Sequence, residues 1–193
     1  MSPISDPLSI EHKNILLVLA RKSIELVVNN LPPLRINKEE YSPPLNQNGA
    51  SFITLSRQGD LRGCIGALEA YQSLVEDVYE HASAAAINDY RFQPVTPGEL
   101  ESIHIEISRL TRPIPLSYKQ PADLPGLLRP GTDGVILRDG FRRATFLPQV
   151  WGQLPDAQDF LTHLCQKMGV NGGLWRQKLL QVDIYEVEEF EES

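Results

Sequence analysis

The apolar positions near the start of the chain follow the spacing of an amphipathic helix. Ser9 can cap this helix, and apolar residues recur on one face until about Asn30. The run Leu31-Pro32-Pro33 ends it, because proline cannot continue a helix and restricts the residue before it. Residues 41–48 are polar and contain prolines, which predicts a loop.

A hairpin is predicted next. Residues 51–57 alternate only roughly between apolar and polar side chains, and Ile53 and Leu55 form the more apolar face. Gln58-Gly59-Asp60 is typical of a hairpin turn, and residues 61–68 form the returning strand. We therefore expect a strand pair with one face directed into the core.

Two capping boxes predict the helices that follow the hairpin. Ser73 and Glu76 open a long helix, and Thr96 and Glu99 open a short one with proline at its first position. Residues 103–108 then alternate between isoleucines and polar side chains, which predicts a strand with one apolar face.

The second half of the chain repeats this order about 80 residues later. Strands are predicted over residues 134–138 and 141–147, a helix between Asp156 and Gly169, a short helical turn, and a strand over residues 182–187. The alternatives are a duplicated α+β unit that shares one sheet and two ordinary hairpin-plus-helix units. The proline-rich segment 113–130 is the expected linker between sub-units at about 50–112 and 131–190.

Composition places the chain among ordinary globular proteins. It has 193 residues, of which 41% are hydrophobic and 22% charged, enough to bury about 70% of the unfolded surface. The net charge of −7 argues against a nucleic-acid partner, and much of the excess lies in an acidic tail that we expect to be solvated. A local cationic pocket for a small anion is compatible with this total, because arginines cluster near turns and glycines.

The cysteine count and the N-terminus bear on location. Two cysteines cannot form a disulfide framework, which favours a reducing compartment. Residues 1–7 lack the basic and apolar regions of a signal peptide, and the longest apolar run, residues 15–20, is too short to span a membrane. We therefore expect a cytoplasmic protein that does not bind membranes.

The segment Leu61-Arg62-Gly63-Cys64-Ile65-Gly66 carries the strongest candidate chemistry. Glycine weakens a strand, so two glycines here indicate a bulge, a bend or a close approach by a ligand or by backbone. Arg62 beside Cys64 favours the reactive thiolate. Cys64 could be a nucleophile assisted by His104 and Glu106, which share a strand face, a ligand contact without covalent chemistry, or a buried structural residue.

Other polar residues extend this candidate site. Asp89 and Arg91 follow the long helix and could either fix the helix exit or line the same pocket as Arg62. Gln149 ends the strand that corresponds to the motif strand, and its amide offers both a donor and an acceptor. The four histidines are scattered and no nucleotide-binding loop is present, so we predict neither a metal nor another cofactor.

The motif resembles the hallmark of the AMMECR-type domain family, whose bacterial members are called AmmeMemoRadiSam system protein A. The resemblance covers roughly residues 10–190 and departs at Tyr90, where a small residue or proline is expected, and in the short stretch 170–173. It is carried by Gly59-Asp60-Leu61-Arg62-Gly63-Cys64-Ile65-Gly66, Asp89-Tyr90-Arg91-Phe92, Glu106-Ile107-Ser108, Asp133-Gly134-Val135 and Leu147-Pro148-Gln149-Val150.

This resemblance implies an α+β fold of a single domain over residues 1–193. In it, a duplicated strand-strand-helix-helix-strand unit surrounds one barrel-like, mostly antiparallel sheet, with a helix at the N-terminus. It also implies association with a Memo-like protein and a radical SAM protein, and it implies no reaction. The matching site positions are Arg62, Gly63, Cys64, Gly66, Asp89, Arg91, Glu106 and Gln149.

Two functional hypotheses follow. In the first, a pocket built on Leu61–Gly66 binds or converts a small molecule, with Cys64, His104 and Glu106 as the catalytic candidates. In the second, the motif surface is a docking site for the Memo-like and radical SAM proteins. An RNA-related role would require a basic groove.

Overall fold

The computed structural model describes residues 7–192, which form two compact units. The first unit contains residues 7–110 and 188–192, and the second contains Thr111–Val187. Residues 1–6, on which much of the signal-peptide expectation rests, lie outside the described range. Within that range, no helix has the length and apolar character that crossing a bilayer requires.

Six α-helices, nine strands and four 3-10 helices make up the described part of the chain. The α-helices are α1 (Ile10–Val28), α2 (Pro43–Asn46), α3 (Leu74–Ile87), α4 (Leu124–Leu127), α5 (Ala157–Lys167) and α6 (Leu174–Gln177). The strands are β1 (Asn48–Arg57), β2 (Asp60–Gly66), β3 (Gln72–Ser73), β4 (Ile103–Leu110), β5 (Ile114–Pro115), β6 (Gly134–Asp139), β7 (Arg142–Phe146), β8 (Gln181–Tyr185) and β9 (Val187–Glu191). The 3-10 helices are Lys38–Glu40, Pro97–Ser102, Pro121–Asp123 and Pro148–Gly152.

The two long helices of the first unit, α1 and α3, lie where the sequence predicts them. The Ser9 hydroxyl accepts a hydrogen bond from the backbone N–H of His12 at 3.2 Å, as expected of an N-cap. The backbone N–H of Ser73 donates to the Glu76 carboxylate at 3.2 Å, which confirms the capping box of α3. The loop predicted over residues 41–48 is wrong, because α2 lies within it.

The first unit is built on a five-stranded sheet with the order β2-β1-β4-β9, and β3 pairs with the start of β1. The β1–β2 loop consists of Gln58 and Gly59, whose φ angles of 56° and 89° both lie in the left-handed region. This geometry matches the right-handed twist of a strand pair. Ile53 and Leu55 of β1 are fully buried in a core shared with α1 and α3, which confirms the predicted inward face.

The second unit has a four-stranded antiparallel sheet with the order β5-β8-β6-β7. Its core surrounds Phe160 of α5, which stacks on Trp151 with ring centroids 3.8 Å apart. Asp156 caps α5 through the N–H groups of Gln158 and Asp159. The segment predicted as a linker contains β5, α4 and a 3-10 helix of this unit.

The expectation of one barrel-like sheet is wrong. Residues 7–192 form two open sheets, each with its own core. In the first sheet, the free edge of β2 does not continue into another strand at Cys64, because side chains bind its backbone groups there. The structure is therefore a mixed α and β fold with antiparallel sheets and an N-terminal helix.

The expectation of a solvated acidic tail is wrong for Glu188 and Glu192, whereas Glu189 and Glu191 are exposed. The tail forms β9, which lies beside β4. The Glu188 carboxylate lies 2.9 Å from the Lys13 ammonium and 3.0 Å from the Arg109 guanidinium, and Glu192 pairs with Arg21. The negative charge of these two residues is balanced by cations of α1 and β4 and holds the end of the chain against the first unit.

Replacing Gly63 by alanine should destabilise the protein by about 2 kcal/mol, as overpacked sites do. A Cβ on Gly63 would lie 2.3 Å from the backbone oxygen of Ala85, and neither backbone can move away freely. Urea unfolding followed by circular dichroism measures the change. Gly98→Ala is the matched control, because a Cβ there meets no atom of the described residues within 4 Å. Equal unfolding midpoints for the two variants would contradict the packing argument.

Candidate functional site

A β-bulge lies in the motif strand. Leu55 of β1 pairs with Gly63, whereas the next residue, Ser56, pairs with Leu61. Arg62 is the extra residue and has no direct partner across the strand pair. Bulges redirect a side chain and increase the local twist, so the bulge turns Arg62 out of the regular strand pattern.

Arg62 binds the loop that precedes β4. Its guanidinium donates to the Glu99 carboxylate through Nε at 3.0 Å and Nη2 at 3.2 Å, and Nη1 donates to the backbone oxygen of Gln93 at 2.9 Å. This bidentate hydrogen bonding is the main reason why the pKa of Glu99 is lowered to about 2. The Arg62 guanidinium, which we expected beside the thiol of Cys64, is therefore paired with Glu99.

Asp89 and Arg91 bind the backbone of Cys64 at the free edge of β2. The N–H of Cys64 donates to Asp89 Oδ2 at 2.8 Å, and Arg91 Nη2 donates to the oxygen of Cys64 at 3.3 Å. Arg91 also donates to both carboxylate oxygens of Asp89, at 2.9 and 2.6 Å. These bonds hold the pKa of Asp89 well below its usual range. We call this arrangement of Asp89, Arg91 and the Cys64 backbone the edge clamp.

The thiol of Cys64 faces away from α3. Gly63 lies against α3, and successive strand residues point to opposite faces. On the opposite face, the Thr54 hydroxyl donates to Cys64 Sγ at 3.4 Å, and Glu106 of β4 pairs with the other side of Thr54. Cys64, Thr54 and Glu106 thus form one row across β2-β1-β4, and all three are partly buried. Strand spacing puts the backbones of the outer two about 10 Å apart.

Glu106 is the carboxyl group of this row. Partial burial, together with the negative charges of Glu189 and Glu191, raises its pKa above the ordinary glutamate value. His104 lies on the same strand face, and its Nε2 is 3.0 Å from the Glu191 carboxylate. Of the three catalytic candidates, Cys64 and Glu106 therefore lie on either side of Thr54, while His104 is bound to Glu191.

The remaining predicted site residues have other positions. A Cβ on Gly66 would lie 2.3 Å from the backbone oxygen of Ser51, so close packing accounts for this glycine as well as for Gly63. Gln149 belongs to the second unit, where it is exposed on the 3-10 helix after β7. Its contribution to a common site stays a prediction.

The sequence interpretation missed a buried polar cluster on the α3 side of the sheet. Asp77 is fully buried; its Oδ2 accepts from the Ser51 hydroxyl at 2.6 Å and lies 3.3 Å from His81 Nδ1. Among the described residues, no hydrogen bond reaches Asp77 Oδ1. An acidic residue at a core position of α3 was the available signal. The cluster is not a serine-protease relay, in which histidine lies between serine and aspartate.

The site offers a thiol, a hydroxyl and a carboxyl group on one sheet face. These groups can form hydrogen bonds with a polar ligand, and the thiol can also react as a nucleophile. Within residues 7–192, no group of three or more histidine, cysteine, aspartate or glutamate side chains is arranged to hold a metal ion.

Comparison with known proteins identifies the family. The AMMECR1 family model matches residues 17–190, and the chain therefore belongs to the AMMECR1 family. It is 41% identical to a protein of Methanothermobacter thermautotrophicus over 85% of each chain, and 35% identical to Protein MJ0810 of Methanocaldococcus jannaschii over 96% of this chain and 92% of that one. The crystal structure of the uncharacterized protein PH0010 from Pyrococcus horikoshii is similar, with a TM-score of 0.76, 31% identity, and coverage of 93% and 90%.

Asp89→Asn should lower the free energy of unfolding at neutral pH by about 1–2 kcal/mol, because it weakens the hydrogen bonds with Arg91, whose side chain is partly screened by solvent. The stabilisation by Asp89 is present above its unfolded pKa of about 3.9 and is lost as the pH falls, because the folded pKa is lower. The difference between wild type and variant should therefore shrink below pH about 4. Urea titrations across this range, with the exposed Asp60→Asn as control, measure it; a pH-independent difference would refute the argument.

Glu106→Gln should stabilise the protein at neutral pH. Because the folded pKa of Glu106 is raised, ionisation costs more in the folded than in the unfolded state once the pH exceeds the ordinary glutamate range. Below that range both states are protonated, and wild type and variant should converge. Thermal unfolding at acidic and neutral pH tests this, with the exposed Glu101→Gln as control. A variant that is less stable than wild type at neutral pH would show that Glu106 makes a stabilising contact.

Proposed function

We propose that this AMMECR1-family protein binds a small polar molecule on the sheet face that carries Cys64, Thr54 and Glu106. The observation that supports this most directly is the hydrogen bond from the Thr54 hydroxyl to Cys64 Sγ, with Glu106 on the other side of Thr54. Three different polar groups in one row on a sheet face give a ligand several directed contacts.

The other motif residues have roles in folding, so the thiol of Cys64 is the group that we expect a ligand to contact. Arg62 is bound to Glu99, and the carboxylate and guanidinium of the edge clamp bind each other and the Cys64 backbone. The side chain of Cys64 makes a weaker contact, the 3.4 Å hydrogen bond that it accepts from Thr54 of the neighbouring strand. A ligand that contacts the motif is therefore expected to meet the thiol first.

The charges around the row favour a ligand with hydrogen-bond donors or positive charge. Glu106 lies near Glu189 and Glu191. Arg62 and Arg91, by contrast, are paired with the carboxylates of Glu99 and Asp89. In a catalytic version of the proposal, Cys64 acts as the nucleophile and Glu106, whose pKa is raised, exchanges a proton with the substrate. His104 would then act through Glu191 or directly on the ligand.

A duplicated unit also forms part of the proposal. In both sheets, the first strand of a hairpin lies in the centre. β1 lies between its hairpin partner β2 and β4, and β6 lies between its hairpin partner β7 and β8. β4 and β8 are each the strand that follows the helices. Gly63 pairs with Leu55 as Ala144 pairs with Leu137, so Thr145 takes the place of Cys64. Contact with Ala85 accounts for Gly63 but not for Cys64, the other motif residue that differs between the two hairpins.

A docking role for the motif surface is the second candidate, and one observation favours it. Tyr90, which lies between Asp89 and Arg91 in the sequence, is 95% exposed. Exposed tyrosine and arginine side chains often contribute strongly to binding at protein interfaces. The partners implied by the resemblance are a Memo-like protein and a radical SAM protein, and the two free cysteines suit the reducing cytoplasm in which we place this function.

Thiol labelling should distinguish these proposals. Cys64 is partly exposed and Cys165 is fully buried, so a chromogenic disulfide should modify Cys64 at least about tenfold faster in the native protein. Cys64→Ala should abolish the fast phase, and Cys165→Ser should retain it. A ligand from a pool of small polar metabolites should slow this phase, and Thr54→Val and Glu106→Gln should weaken its protection.

The results separate into clear outcomes. The ligand proposal would be wrong if Cys64 reacted as slowly as Cys165. It would also be wrong if Thr54→Val and Glu106→Gln left the protection by the ligand unchanged. The docking proposal would instead be supported if only the Memo-like or the radical SAM protein slowed the labelling of Cys64 and if Tyr90→Ala removed this protection.

A further inference from the structure

The outer side of α1 carries an apolar groove that is unrelated to the motif. The groove has a volume of about 650 Å³ and runs between the helix and the segment that follows it. Apolar side chains dominate its lining, including Ile15 and Val18 on the helix and Leu34 and Tyr41 on the segment. Val18 is 70% exposed and Ile10 is 79% exposed. Large apolar side chains grouped at such exposure mark an interaction surface.

Four groove residues of α1 follow the spacing of a helix–helix seam. Glu11, Ile15, Val18 and Lys22 are separated by four, three and four positions, the intervals that bring side chains to one line in a coiled coil. The two central positions are apolar, and the two ends carry opposite charges about 16 Å apart along the helix. A groove that is open along this length suits a helix better than a compact molecule.

The order of these four residues is self-complementary. If a second α1 lies antiparallel, Ile15 meets Val18 of the other copy, and each Glu11 meets the Lys22 of the other copy. The same patch then serves on both copies, as two-fold symmetry requires. Lys22 is available for this contact, because its pairing with Glu25 is long, at 3.9 Å, and lies at an exposed position where such pairs contribute little.

We propose that two copies of this chain associate through antiparallel packing of their α1 helices, with Ile15 and Val18 at the centre and two Glu11–Lys22 pairs at the ends. The charge pattern of the seam identifies the second copy as the occupant of the groove. The contact is independent of the Cys64 row. Because one helix and the adjoining segment supply the surface, the dimer should be concentration-dependent rather than permanent.

Sedimentation of the full chain at concentrations from roughly 1 µM to 1 mM tests the proposal. We expect a monomer–dimer equilibrium that Val18→Glu weakens by at least roughly tenfold. Phe141→Glu is the matched control, because Phe141 is 95% exposed and lies in the second unit, far along the chain from the seam. A chain that stays monomeric throughout, or a dimer that Val18→Glu does not weaken, would overturn the proposal.

Charge exchange tests the register separately from folding. Glu11→Lys and Lys22→Glu should each weaken self-association, because each creates two like-charge pairs across the seam. An equimolar mixture of the two single variants should associate again, since every pair in the mixed dimer joins opposite charges. A monomeric mixture would refute the antiparallel register. If a foreign helix or an apolar ligand binds the groove while the chain alone remains monomeric, the second copy is not the occupant.

Discussion

The close contact between Gly63 of β2 and the backbone oxygen of Ala85 in α3 determines how the first unit is arranged. It brings the edge strand directly against the helix, at a separation that a side chain on Gly63 would prevent. Because α3 ends at Ile87, the same contact places the following turn beside the strand, and Asp89 reaches the N–H of Cys64. The edge clamp is therefore a consequence of the contact at Gly63.

This arrangement separates the two faces of the motif strand. One face is used for packing on α3, and the other presents Cys64 beside Thr54 and Glu106. The clamp also explains why the sheet ends at β2, since charged side chains satisfy the backbone groups that another strand would otherwise bind. The stability of the edge and the orientation of the thiol thus have a common origin.

Local signals predicted most elements but not their assembly. The caps at Ser9, Ser73 and Asp156 each act within one turn of helix, so a short stretch of sequence suffices to recognise them. The single barrel-like sheet was wrong, and the solvated tail was wrong for Glu188 and Glu192, because both depend on partners far away in the sequence. Glu188, for example, is paired with Lys13, which lies near the other end of the chain. Thr54 was not recognised as a site residue because a threonine in a strand has no local signal of function.

The sequence by itself determined the long helices α1, α3 and α5, the hairpins, the motif and the family, because periodicity, caps and turns are short-range properties of neighbouring residues. Only the tertiary structure decided that Arg62 binds Glu99, that Asp89 and Arg91 secure the backbone of Cys64, and that the thiol shares a row with Glu106. These relations depend on strand register and on the bulge at Arg62, which bring together residues that lie more than twenty positions apart in the chain. The motif first indicated a reactive cysteine beside a cation, and the structure assigns the cation to the fold and leaves the thiol facing Thr54.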